Sequence, residues 1–172
     1  MTAQVKPRIG WADVLTLLRF PLAALFPLAP RPLWRLGIVA LAAATDVADG
    51  ALARLTGGSR WGPVLDPVAD KVFMATAFIT LAGHGLLHPL EIAAVLLRDI
   101  VAGLGFAGTL FLRRPVALPA RAGGKAVTVC QVLTLVALIA GSALARPLAW
   151  ATGAVSIYAI WDYGRAAAPP EP

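Results

Sequence analysis

Apolar blocks about as long as a bilayer-crossing helix recur along this chain, separated by short breaks rich in Pro, Gly or charge. Six can be drawn, at Trp11–Ala29, Leu33–Leu55, Gly62–Gly83, Pro89–Leu112, Gly124–Ala145 and Pro147–Gly164. The breaks hold Pro30 and Pro32, Gly57-Gly58, His84 to Pro89, Pro115 to Pro119, and Arg146-Pro147, residues that punctuate helices. A helix needs about 20 mostly apolar residues to cross the hydrocarbon core. Lipid offers the backbone no hydrogen bonds, so such blocks must satisfy their own polar groups as helices. The pattern predicts an all-α membrane protein of six transmembrane helices over residues 11–165, with a short interfacial segment at 1–10 and a disordered tail at 166–172. Lys6 and Arg8 precede the first block as in a secretory signal. Arg19 interrupts its apolar run, however, and no small-x-small cleavage site follows, so it is expected to stay as a span.

Composition agrees with lipid as the solvent: 59% of residues are hydrophobic and only 14% charged, more apolar material than a water-soluble chain of this size can hide. The net charge of +6 does not come as a basic stripe with interleaved aromatics, which argues against nucleic acid. It reads better as topology. With the N-terminus inside, Lys6, Arg8, Arg54, Arg60, Arg113, Arg114, Arg121, Lys125 and Arg165 fall on the inner side, and Arg31, Arg35 and Arg146 on the outer. That bias follows the positive-inside rule and puts both termini in the cytoplasm, as in a multi-pass protein of a prokaryotic inner membrane. Trp11, Trp34, Trp61, Trp150 and Trp161 lie near span ends, where amphipathic rings settle.

Only nine acidic residues occur, and four of them crowd between Thr45 and Lys71. Asp46 and Asp49, three apart, share a face at the inner end of the second block; Asp66 and Asp70, four apart, share one at the inner start of the third. A short link makes these helices antiparallel neighbours, so the pairs can face each other. Carboxylates this close repel unless cations intervene, and proximity to lipid worsens the repulsion. Their hard oxygens suit Mg²⁺, Mn²⁺ or Ca²⁺. Paired ions of that kind clamp the attacking and leaving oxygens of displacement at phosphorus. Gly50 and Ala53 leave room for a ligand or for close helix packing, and Arg54 offers a planar fork to phosphate.

Together, Asp46-x-x-Asp49-Gly50-x-x-Ala53-Arg54 followed by Gly62-x-x-x-Asp66-x-x-x-Asp70 resembles the signature of the CDP-alcohol phosphotransferases at every fixed residue. Two departures are visible. The linker from Arg54 to Gly62 is seven residues, shorter than the family's usual loop, and Ala12-Asp13 stands where Pro-Asn is customary. LTLLRF at 15–20, LDPVADK at 65–71, LLRDI at 96–100 and GKAVTVCQ at 124–131 are most similar to the phosphatidylglycerophosphate synthase branch. The resemblance implies a six-helix fold, commonly homodimeric, with a polar cavity open to the cytoplasm. It implies phosphatidyl transfer from CDP-diacylglycerol to a small polar alcohol such as glycerol 3-phosphate, with release of CMP. By the same resemblance Asp46, Asp49, Asp66 and Asp70 hold one or two Mg²⁺ or Mn²⁺ ions, and Asp70 is also the general base. Asp46, Gly50, Ala53, Arg54, Gly62 and Asp66 contact the CDP portion.

An acceptor phosphate needs cations. Arg98, costly inside a span unless it meets an anion or Asp99, is the first candidate, with Arg121 and Lys125 beside it. Arg121 and Lys125 serve equally well as topology and headgroup charges. Arg19 is open between a structural partner for a carboxylate and a site residue. Phosphatidylglycerol (giving cardiolipin), inositol phosphate or serine would make related demands as acceptors. Outside this class stand aspartate-rich membrane prenyltransferases and a divalent-cation transporter, for which the aspartates would form an ion path. His84 and His88, with Glu91 nearby, have ligand-like spacing but fall in an outer loop and are expected to be solvated.

Overall fold

The computed structural model describes residues 10–56, 59, 61–111 and 122–167. Among them the chain is all helix and turn: α1 Trp11–Leu17, α2 Arg19–Leu25, α3 Pro32–Thr56, α4 Gly62–Gly83, α5 Pro89–Phe111, α6 Ala122–Ile139 and α7 Ala145–Ala167. α1 and α2 together fill the first expected block, so six helical blocks stand where six were drawn. Of the terminal segments, 1–9 and 168–172 lie outside the described residues, and α7 continues through Ala167.

Among the differences from the expected boundaries, two have a clear local reason. The first block breaks after Leu17 because Pro21 has no N–H to give the Leu17 carbonyl and its ring crowds that group four residues back. The fifth block was drawn to Ala145, but α6 stops at Ile139. Gly141 takes φ 65°, and Ser142 N–H reaches the Ala137 carbonyl at 2.9 Å while Gly141 N–H reaches that of Leu138 at 3.1 Å. This left-handed cap closes the helix.

The chain packs as two units, Met1–Thr80 and Leu81–Pro172. In the first, α1 and α2 lie against α3, and Phe26 meets Phe73 of α4 edge-to-face with ring centroids 6.2 Å apart. In the second, α7 packs on both α5 and α6. Gly153 is required there, because a Cβ at that position would sit 2.9 Å from the Ala94 Cβ.

Beside an apolar core, the described residues bury several polar groups and expose many large apolar ones. Asp13, Thr16, Arg19, Asp49, Gln131 and Thr152 are buried, while Leu28, Leu33, Val47, Leu104 and all five tryptophans are exposed. Among the described residues one helix, α3, is long and apolar enough by itself to cross a membrane, with mean hydropathy 1.6 over its best 18 residues. α4 misses that standard for a chemical reason: every 18-residue window in it contains Asp66, Asp70 and Lys71. Its first turns carry charge rather than an unbroken apolar surface.

Candidate active site

The four aspartates sit where helical spacing placed them. Asp46 and Asp49 lie on α3, and Asp66 and Asp70 on α4. What brings the two pairs together is the broken first block, because Thr16 lies in the last turn before the break and Arg19 starts the helix after it. The Thr16 hydroxyl lies 3.0 Å from Asp49 Oδ2 and 2.6 Å from Asp66 Oδ1. It has one proton and also lies 3.2 Å from the Ala12 carbonyl, so it cannot donate to both carboxylates at once. The Arg19 guanidinium spans the other gap. Its Nη2 donates to Asp49 Oδ2 and lies 2.8 Å from Asp46 Oδ1 as an ion pair, and its Nη1 donates to Asp70 Oδ1 at 2.7 Å. Arg19 is 1% exposed, whereas the side chains of Asp46 and Asp70 are 53% and 50% exposed. The cluster therefore has a sealed cationic floor and open carboxylate walls.

Arg19 was left open by sequence; here it pairs with three of the four aspartates. Thr16 was missed altogether as a partner. Its signal was available, since Thr16 and Arg19 are three apart on apolar helical sequence and so lie near one another on one face.

Other predicted residues surround the cluster unevenly. Arg54 folds back along α3, where a Cβ on Gly50 would lie 3.6 Å from its Nη1. Ala53 is half-buried and Arg54 exposed. Gly62 opens α4 in a tight setting, because a Cβ there would come within 3.2 Å of Asp13 Oδ1 and 3.3 Å of Ser59 Oγ. Asp13, whose role the sequence did not supply, is a buried latch. Its Oδ2 accepts from Gly10 N–H at 2.7 Å and its Oδ1 from the Ser59 hydroxyl at 2.7 Å. Ser59 in turn accepts from Gly62 N–H at 2.8 Å, capping α4 and setting where Asp66 and Asp70 begin. The short linker is thereby tied to the start of α1.

The proposed acceptor residues belong to the second unit. Arg98 donates to Asp99 at 3.0 Å and to the Tyr163 hydroxyl at 3.2 Å, and its guanidinium stands 5.9 Å from the Tyr163 ring centroid. Gln131 holds the other Asp99 oxygen at 2.7 Å and the Val95 carbonyl at 2.9 Å. Gly124 admits this group, since a Cβ would fall 2.3 Å from the Tyr163 hydroxyl and 2.7 Å from Arg98 Nη2. Lys125 is exposed, and Arg121 lies outside the described residues. His84 and His88 are exposed as expected, and Glu91 caps α5 through His88 N–H at 2.8 Å while pairing with Arg146 at 2.9 Å.

Among the described residues no three acidic, His or Cys side chains converge at metal-ligand distance. The donor chemistry nevertheless fits a hard divalent cation. Three of the four carboxylates share one guanidinium, and one hydroxyl proton is shared between Asp49 and Asp66, a donor set of hard oxygens.

Comparison with known proteins gives this geometry a context. A family model described as CDP-alcohol phosphatidyltransferase matches residues 10–159. A CDP-diacylglycerol–glycerol-3-phosphate 3-phosphatidyltransferase of Sodalis glossinidius is 35% identical over 125 residues, covering 70% of this chain and 68% of the relative. One of the same name from Cereibacter sphaeroides is 35% identical over 111 residues, covering 56% and 50%. A candidate cardiolipin synthase of Mycobacterium bovis is 36% identical over 99 residues, covering 55% and 46%. This chain spans about half the length of the last two relatives.

Proposed function

The chain belongs to the CDP-alcohol phosphatidyltransferase family, membrane-bound enzymes that use divalent metal, and from that premise we propose that it makes phosphatidylglycerophosphate. The donor is CDP-diacylglycerol and the acceptor glycerol 3-phosphate. The observation that carries the reading is the meeting of both aspartate pairs at Thr16 and Arg19, with Asp46 and Asp70 open to an incoming ligand.

In the reaction the acceptor hydroxyl oxygen attacks the phosphorus that carries diacylglycerol. The bond from that phosphorus to the bridging oxygen breaks, CMP leaves with the oxygen, and the hydroxyl proton passes to a base. Asp70, half exposed at the cluster's open side, is the base. Asp46, Asp49, Asp66 and Asp70 hold one or two Mg²⁺ or Mn²⁺ ions, whose chemistry is to neutralise the diphosphate and acidify the attacking hydroxyl. Arg54, lying along Gly50, supplies a fork for the CDP phosphates, and Ala53 and Gly62 leave them room. Arg98 grips the acceptor phosphate, with Arg121 and Lys125 as further cations. Six membrane spans, cytoplasmic termini, a site open to the cytoplasm and assembly as a homodimer complete the proposal. Exposed apolar side chains over buried charge support the membrane setting.

The candidate cardiolipin synthase among the relatives favours one second reading, in which phosphatidylglycerol is the acceptor. The purified chain, given CDP-diacylglycerol and Mg²⁺ or Mn²⁺, separates the two by CMP release with each acceptor in turn. Stimulation by glycerol 3-phosphate alone is expected. Stimulation by phosphatidylglycerol, inositol phosphate or serine instead overturns the acceptor and keeps the reaction.

A further inference from the structure

We infer that Arg19 is a built-in counter-cation of the aspartate cluster, which holds Asp46, Asp49 and Asp70 together in the metal-free chain and competes with a divalent ion for them. The inference rests on the reading above that these aspartates hold metal, and adds that the chain carries its own stand-in for the ion.

Several observations point the same way. Arg19 opens α2 directly after the break at Leu18, so the break that Pro21 enforces also delivers the guanidinium to the cluster. Two of its nitrogens serve three carboxylates, while its Nε is buried with no hydrogen-bond partner among the described residues. Among the described residues, the polar groups that hold the guanidinium head are therefore the carboxylates. Its contacts to Asp46 Oδ1 and Asp70 Oδ1, at 2.8 and 2.7 Å, go to side chains that are half open. A metal approaching from that side meets the same groups.

A Mg²⁺ ion draws its oxygens to about 2.0–2.1 Å in a near-octahedral shell. A guanidinium instead holds carboxylates in a splayed fork at hydrogen-bond distance. Binding the ion pulls the carboxylates out of that fork and sets two cations side by side, which repel. The coupling between Arg19 pairing and metal binding is thus negative. A purely structural ion pair would stabilise the fold equally with and without metal, and this difference makes the inference testable.

Thermal unfolding of the purified chain in detergent provides the test, with wild type, Arg19→Gln and Arg19→Lys each in chelator and in titrated MgCl₂ or MnCl₂. In chelator, Arg19→Gln is expected to melt below wild type, with Arg19→Lys between them, because an ammonium keeps the charge and loses the fork. Metal is expected to raise the melting temperature of Arg19→Gln by more than that of wild type, with half-saturation at a concentration lower by on the order of tenfold. If Arg19→Gln does not fold in chelator, Arg19→Gln combined with Asp70→Asn removes one charge of each sign. That variant is then compared with Asp70→Asn alone, and the same shift in half-saturation is expected. Equal metal responses with and without Arg19 overturn the inference and leave the metal reading standing. Absence of any metal response in wild type and in every variant overturns both.

Discussion

Among the described residues, half of the buried polar groups in Met1–Thr80, namely Asp13, Arg19 and Asp49, are charged, and Arg19 meets Asp49 across helices; in Leu81–Pro172 hydroxyls and an amide predominate, with Glu91 the charged exception. Thr134 bonds the Cys130 carbonyl at 2.8 Å, Thr152 that of Leu148 at 2.7 Å, and the two hydroxyls meet at 3.0 Å. Gln131 spends its amide on Val95 and Asp99. Ser156 Oγ and Arg98 Nε are left without a partner there among the described residues. The first unit gathers four carboxylates, three of them paired with one guanidinium and two sharing one hydroxyl proton. Buried charge is expensive, so Asp49 is paired with Arg19, while the half-open Asp46 and Asp70 face the side from which a ligand would come. Under the proposed function, the second unit is chiefly packed scaffold and the first is where chemistry is poised.

Four substitutions would break or sharpen that contrast. The largest effect is expected at Asp70: Asp70→Asn should lower transfer by about 10²–10⁴-fold, the range for loss of a general base, while size-exclusion and circular dichroism show a folded chain. In the second unit Gly124→Ala should act on stability, because its Cβ would meet the Tyr163 hydroxyl at 2.3 Å and Arg98 Nη2 at 2.7 Å. Overpacking of this kind costs about 1–3 kcal/mol, read as a lowered midpoint of unfolding. Arg98→Lys keeps the charge and loses the planar fork. The acceptor assignment predicts a rise of about tenfold in KM for glycerol 3-phosphate, worth roughly 1.4 kcal/mol, with KM for CDP-diacylglycerol unchanged. The smallest effect is expected at Thr134→Val, which removes one hydroxyl from a pair already bonded to backbone and should cost about 0.6 kcal/mol. A large activity loss from Thr134→Val, or an unaffected Asp70→Asn, would erase the distinction between the units.

The aspartate pairs were legible in the sequence because helical spacing alone puts residues three or four apart on one face, and α3 and α4 begin within a residue of where the apolar blocks did. The partners of those aspartates were not. Arg19 meets Asp70 across 51 positions and Thr16 meets Asp66 across 50, contacts that no local pattern encodes. The break after Leu17 is written in Pro21, but the apolar run continues across it and so reads as one span. The early end of α6 depended on Gly141 adopting a left-handed conformation, which composition permits without requiring. Asp13 was visible as a departure from the family's usual residue. Only the packed chain shows it latched to Ser59 at the head of α4.

The most direct test of the central claim is CMP release from CDP-diacylglycerol by the purified chain, first in EDTA and then with Mg²⁺ or Mn²⁺ restored, beside a variant with Asp46, Asp49, Asp66 and Asp70 all changed to Asn. The account predicts that wild type falls silent in EDTA and recovers with metal, and that the variant stays silent in both. Release that continues undiminished in EDTA, or that survives loss of all four carboxylates, would contradict it.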